Sequence, residues 1–166
     1  MLITSTERNS PLTRRQLLAG GAALALAAPV GAKAEPASDG PHQVQIWKGP
    51  NCGCCKDWIR HLEANGFQVV SVNDSGNTEA RKRLGVDLRF GSCHTALVGG
   101  YAIEGHVPAK DIRRLLRERP KAVGLAVPAM PLGSPGMDGP EYGRKDPYDV
   151  LLLAQEGGAR VYQSYR

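Results

Sequence analysis

The chain has few aromatic residues, no long apolar run and little net charge once its leading segment is set aside. Two Phe, two Trp and five Tyr among 166 residues are too few for a platform on which successive bases stack. No apolar stretch reaches the ~20 residues that a membrane-crossing helix needs. Neither a phosphate-cradling glycine loop nor a paired-carboxylate signature stands out. Cysteine is scarce as well, four in all, but three of the four fall in one window, Cys52-Gly53-Cys54-Cys55, and the fourth, Cys93, precedes His94.

The leading segment reads as an address. Thr13-Arg14-Arg15-Gln16-Leu17-Leu18 is a twin arginine followed by apolar residues, an Ala/Gly/Leu stretch runs to Val30, and Ala32-Lys33-Ala34 has the small-x-small form of a cleavage site. Residues 1–34 are therefore expected to be an export signal of the twin-arginine type, cleaved after Ala34, with the periplasm or cell surface as the working compartment. An ordinary secretory signal with two chance arginines is the plainer alternative. Removing 34 of 166 residues leaves 132, enough for one domain with a modest core. It also removes four of 21 basic side chains (Arg8, Arg14, Arg15, Lys33) and one of 16 acidic ones (Glu7), leaving 17 against 15, a net charge of +2. That balance gives no reason to invoke nucleic acid or an anionic membrane.

Residues 35–43 read as a linker and 44–166 as one domain. The pattern predicts a strand over 44–47, a helix over 55–65 closed by Gly66, a strand over 67–72 and a short helix over 78–84. A hairpin follows, 95–98 and 101–103, turned by Gly99-Gly100, then a basic amphipathic helix over 109–119 ended by Pro120. The tail offers a strand near 124–127, a Gly/Pro-rich loop over 128–147, and two strands, 148–154 and 160–165, expected as a second hairpin on the main domain. The order β-α-β, short helix, β-hairpin, α predicts an α/β, thioredoxin-like layer with an added C-terminal loop and hairpin. In that layer Cys52 and Cys55 sit at the turn before the first helix. Cys93 and His94 sit in the facing loop, so all four cysteines are expected to converge.

Structural disulfides explain such cysteines poorly, because bridges within 52–55 close tiny loops and remove little chain entropy. Soft thiolates instead select Cu(I), Zn(II) or iron–sulfur clusters. The spacings match neither ferredoxin run. Zinc usually takes paired ligands two to four residues apart; it could use Cys52, Cys55, Cys93 and His94. Crowded thiolates suit several bridged Cu(I) ions better. Met130 and Met137 flank the Gly/Pro-rich loop and offer thioether sulfur, or else fill gaps beneath it. His94 is a candidate ligand or hydrogen-bond donor beside the cluster. His106 is expected to bond the turn before the third helix, with a role as metal ligand or support of one as the alternative, His61 to face solvent, and His42 to be incidental. A thiol-disulfide or copper oxidoreductase using Cys52-x-x-Cys55 is the alternative, since a helix N-terminus favours the thiolate of the first cysteine. Whether the protein is an enzyme is thus left open.

Gly49-Pro50-Asn51-Cys52-Gly53-Cys54-Cys55-Lys56-Asp57-Trp58, Ser92-Cys93-His94-Thr95-Ala96, Glu104-Gly105-His106-Val107-Pro108-Ala109 and Met130-Pro131-Leu132-Gly133-Ser134-Pro135-Gly136-Met137 occur in this order. Together they resemble the CopG-like copper-resistance proteins, over nearly all of 44–165. The resemblance implies a thioredoxin-like fold, Cu(I) held by Cys52, Cys54, Cys55 and Cys93 as a multinuclear site, and a role in periplasmic copper tolerance. Copper ions, and other periplasmic copper-handling proteins, would be its partners. The chain departs from the family pattern at Val86-Asp87, where Val-Pro is common, and at Ala129, where Gly is usual.

Overall fold

The computed structural model describes residues 42–166. The expected export signal and most of the expected linker lie outside them. Among the described residues no helix is long and apolar enough to cross a membrane.

One seven-stranded sheet organises the α/β fold. Its strands are β1 (Gln43–Lys48), β2 (Gln68–Asn73), β3 (His94–Val98), β4 (Tyr101–Glu104), β5 (Gly124–Ala126), β6 (Tyr148–Leu153) and β7 (Ala159–Tyr165), in the spatial order β2-β1-β3-β4-β5-β6-β7. Helix α1 (Gly53–Ala64) carries the chain from β1 to the parallel β2. Helix α2 (Thr78–Arg83) and a short 3-10 turn (Leu88–Phe90) lead to β3, which runs antiparallel between β1 and β4. Helix α3 (Ala109–Glu118) then crosses from β4 to the parallel β5. The predicted β-α-β, helix, hairpin, helix order is present. The C-terminal hairpin is present too, but it continues the same sheet through β5 and β6 instead of packing on it from outside.

The core forms where the apolar stripes of α1 and α3 meet alternating strand residues. Trp58 and Leu62 of α1, Ile112 and Leu115 of α3, and Val44, Ile46, Ile103 and Leu125 of the strands are all fully buried. Each such side chain contributes about 1.5–3 kcal/mol by leaving water. Trp58 also spends its one polar atom well: the indole N–H donates to the Val107 carbonyl at 2.9 Å, so its burial leaves no donor unpaired. This bond ties α1 to the segment that precedes α3.

Two histidines read as uninvolved turn out to be structural. His61 does not face solvent. Its Nε2 accepts the Ala109 N–H at 3.0 Å, one of the donors that the first turn of a helix cannot pair internally. Burial holds its pKa below the ordinary histidine value, although Asp138 opposes the shift. His42 lies next to β1 rather than in a loose linker: its carbonyl accepts the Gln68 N–H at 3.0 Å and its ring sits 5.9 Å from that of Phe67.

Candidate metal centre

Local sequence sets the first wall of the site. Lys48 ends β1, and Pro50 and Asn51 turn the chain into α1. Cys52 caps that helix, with its Sγ accepting the Cys55 N–H at 3.3 Å. Sulfur here does what a Ser or Asp oxygen does at most helix starts. Cys55 then points into the fold and is fully buried, while Cys52 and Cys54 stay half-buried. Lys48 is buried as well, and its ammonium is held by Asp74 at 2.6 Å and the Gly49 carbonyl at 3.0 Å.

The second wall comes from the loop entering β3. Cys93 Sγ lies 3.4 Å from Cys55 Sγ and 3.8 Å from Cys54 Sγ, and Cys54 Sγ lies 3.5 Å from Cys52 Sγ. All four sulfurs fall within 4.8 Å of one another. The expected convergence of 52–55 with 93 is therefore present. In this structure Cys52 and Cys55 form a disulfide, and Cys54 and Cys93 are free thiols. The sequence reading gave short bridges little weight as structural staples. The bridge closes a loop of only four residues at the helix N-terminus, beside two free thiols.

Two histidines complete this wall. His106 Nδ1 lies 2.8 Å from the Pro135 carbonyl, which can only accept, so the ring proton sits on Nδ1. Its Nε2 lone pair then faces Cys93 Sγ at 3.1 Å. His106 bonds the backbone with one nitrogen and addresses the cysteine with the other. His94 Nδ1 lies 3.4 Å from the same sulfur. The His94 ring is fully buried, 4.2 Å from the Trp58 ring and 5.0 Å from that of His106. Its Nε2 is a buried polar atom with no partner among the described residues, a condition that costs about 1–3 kcal/mol. Burial, reinforced by the neighbouring His106, holds the His94 pKa well below the ordinary value, and burial lowers that of His106. Both rings are neutral at pH 7. Burial, with Cys54 adding to it, pushes the Cys93 thiol up to about 12. Without a metal it keeps its proton, and a metal ion must displace it.

A buried ion pair holds the Cys93 loop in place, and sequence reasoning missed it. Glu104, fully buried at the end of β4, accepts from Arg81 Nε at 2.9 Å and Nη2 at 2.8 Å, the Ser92 N–H at 2.6 Å and the Thr95 hydroxyl at 2.6 Å. Arg81 also donates to the Ser92 carbonyl at 2.6 Å. Both backbone groups of Ser92 are thereby fixed, one residue before Cys93. Burial pushes the Glu104 carboxyl up, and these donors, Arg81 foremost, oppose it. The available signal was the lone acid ending the otherwise apolar Tyr101-Ala102-Ile103 run.

The Met130–Met137 loop closes over the helix start. Gly136 has φ +83°, and a Cβ there would lie 2.6 Å from the Cys54 carbonyl oxygen and 2.7 Å from the Trp58 nitrogen. Only glycine allows this approach. The loop's links to the site are this contact and the Pro135 carbonyl on His106. Met130 is largely exposed and Met137 half-buried. Ala129, where the family pattern has glycine, takes φ +58°, and its N–H donates to the Gly91 carbonyl at 3.0 Å.

The donor set fits a soft metal. Two metal–sulfur bonds of about 2.3 Å at a tetrahedral angle separate their sulfurs by about 3.8 Å; the three non-bonded spacings above lie close to that value, and the Cys52–Cys55 pair can reach it only with its bridge open. Adjacent thiolates at this spacing can also bridge ions.

Known proteins agree with this chemistry. The family described as "Protein of unknown function, DUF411" matches residues 90–137, which hold Cys93, both site histidines and the covering loop. No curated protein matches the chain. The solved structure "Copper resistance protein copG- Form 2" is 48% identical, with 76% of this chain and 99% of that chain covered and a TM-score of 0.70. "Copper resistance protein copG- Form 1" is 49% identical, covering 75% and 98%, with a TM-score of 0.69. With nearly half of its residues shared over almost the whole length of those structures, the chain belongs to the CopG family of copper-resistance proteins.

Proposed function

We propose that this is an exported protein that binds Cu(I) in the periplasm through Cys52, Cys54, Cys55 and Cys93, as a multinuclear thiolate site, and so contributes to copper tolerance. The observation that carries the reading is the meeting of four sulfurs from segments 38 residues apart in one 4.8 Å cluster. Soft thiolates favour Cu(I) over harder ions. Zinc on the same sulfurs is the competing occupant, and metal number separates the two: zinc takes one ion per four thiolates, bridged Cu(I) more. His94 and His106 support Cys93 from behind, and Met130 and Met137 stand as further soft donors on the covering loop. The twin arginine and the Ala32-Lys33-Ala34 site support export, with cleavage after Ala34. The partners of such a protein are copper ions and other periplasmic copper-handling proteins.

Metal binding by all four thiolates requires the Cys52–Cys55 bridge to be open. This favours a second reading, a thiol or copper oxidoreductase. Closing the bridge turns two thiols into one disulfide and releases two protons and two electrons, enough to reduce two Cu(II) to two Cu(I). The test is Cu(I) titration of the reduced chain, wild type and Cys54→Ser. The cluster reading expects several coppers per chain, with stoichiometry and affinity falling in the variant. An unchanged Cys54→Ser protein would defeat it. Reversible disulfide turnover without copper uptake would favour the oxidoreductase.

A further inference from the structure

The sheet has two edges, and they are treated differently. Edge strand β7 is guarded. Arg160 puts a charge on it, and Arg114 of α3 donates from Nη1 to the carbonyl of Tyr162 at 3.3 Å. Charges and covered backbone groups keep a sheet edge from pairing with another chain. Edge strand β2 has neither. Gln68-Val69-Val70-Ser71-Val72-Asn73 holds no charged residue and no proline. Each edge strand has one bulged residue against its inner neighbour, Val70 in β2 and Tyr162 in β7, so the bulge is not what separates them. Five of the six β2 residues are exposed, Val70 and Val72 at 43% each. An uncharged, apolar, open edge is a template for a further strand.

We propose that this edge is a homodimer interface, in which β2 pairs antiparallel with β2 of a second copy of the chain about a two-fold axis, so that two sheets run on as one. The proposal uses no sulfur and no metal, and it stands apart from the copper reading.

Helix α1 sets the occupant. Its buried stripe is Cys55, Trp58 and Leu62. One flank of that stripe turns toward α3, where His61 accepts the Ala109 N–H. At 3.6 residues per turn the other flank carries Lys56, Ile59 and Glu63. In the order β2-β1-β3-β4-β5, α1 joins β1 to β2 and α3 joins β4 to β5. The flank turned away from α3 therefore overlooks the free edge of β2. Lys56 and Glu63 are both exposed, and neither makes an ion pair among the described residues.

Lys56 lies near the start of α1 and Glu63 near its end. A two-fold axis through the middle of β2 runs the two α1 helices antiparallel. It sets Lys56 of each copy against Glu63 of the other. A pairing centred on Ser71 likewise sets Val70 of each copy across from Val72 of the other, where directly opposed side chains touch. The patch is thus its own complement, in charge and in apolar surface, as a two-fold interface requires.

Sedimentation velocity of the full chain, over about three decades of concentration, tests this. Reducing conditions exclude a disulfide between chains. The mass is expected to rise from one chain to two. Val70→Lys places a charge at an exposed edge position and is expected to weaken the dimer at least ~10-fold. Lys56→Glu sets Glu against Glu twice across the axis and is expected to weaken it too. Adding Glu63→Lys restores opposite charges and is expected to bring the dimer back. Both new charges suit the helix dipole, so the double variant keeps α1 intact. Amide hydrogen exchange is expected to slow in β2 as concentration rises, and to stay constant in β7. A single-chain mass at every concentration would overturn the proposal, leaving the edge to solvent or to a strand of another protein. A dimer unchanged in Val70→Lys would overturn it by placing the contact outside β2. A dimer that Lys56→Glu weakens but Glu63→Lys fails to restore would overturn the two-fold arrangement.

Discussion

Two walls meet at Cys93, and they are built in opposite ways. The Cys52–Cys55 wall is local: four consecutive residues at a helix start, two of its three sulfurs half-buried, organised by one cap and one tight turn. The facing wall is assembled from β3, the segment after β4 and the Pro135 carbonyl, and its two imidazoles are fully buried. The first wall holds two of its sulfurs where solvent can reach them. The second holds its donors fixed, at the expense of a buried ion pair and an unpaired ring nitrogen. An accessible face set against a rigid one keeps donor atoms within reach while their geometry is held.

The sharpest way to break this comparison is to remove the residue both walls share. Cys93→Ser is expected to lose most Cu(I) binding by the reduced chain, and Cys54→Ser, which leaves both walls a thiolate, to lose less. Metal per chain by native mass spectrometry checks it. Next in size, Glu104→Ala strands the buried Arg81 and releases Ser92. A loss of about 3–5 kcal/mol is expected in urea unfolding of the apo chain. A much smaller loss would mean that the rigid wall does not depend on the pair.

The walls were not equally legible in the sequence. The Cys52-Gly53-Cys54-Cys55 window shows itself because its atoms are neighbours along the chain, and a strand before it with a 3.6-period stripe after it fixed the helix start. Cys93 was reachable through element order, since the loop entering the hairpin faces that turn. His106 was expected either to bond its turn or to stand at the metal site; a turn position explains its Nδ1, but the direction of Nε2 depends on where α3 and the covering loop lie. His61 was misplaced for the same reason, because its partner, the Ala109 N–H, comes from 48 residues away. The Arg81–Glu104 pair leaves no periodic trace in sequence, as neither residue repeats with its neighbours. The C-terminal hairpin was legible as two strands, but its joining the sheet through the three-residue β5 was not.

Smaller effects sharpen the contrast. His61 is held neutral in the fold, with its pKa below 6.5, so the unfolded chain binds the proton first as pH falls. Stability is therefore full above the unfolded value and declines as pH drops from about 6.5 toward the lower folded value. His61→Gln keeps an acceptor for Ala109 but cannot titrate. Its apo stability is expected to fall less between pH 7 and 5 than that of the wild type, as measured by thermal unfolding. The smallest effect is a gain. Ala129 carries a left-handed conformation that costs a non-glycine residue about 1–2 kcal/mol. Ala129→Gly is expected to raise stability by about 1 kcal/mol or less, after the entropy of the new glycine is deducted. An unchanged or lower melting temperature would mean that the loop gains nothing from the family's usual residue.

The four sulfurs are proposed to hold Cu(I) together. X-ray absorption at the copper edge, on the reduced chain loaded to saturation with Cu(I), reads it directly. The expected result is Cu(I) with sulfur as its nearest neighbours and a copper–copper scattering path from thiolate bridging. A nitrogen or oxygen first shell with no metal neighbour would contradict it.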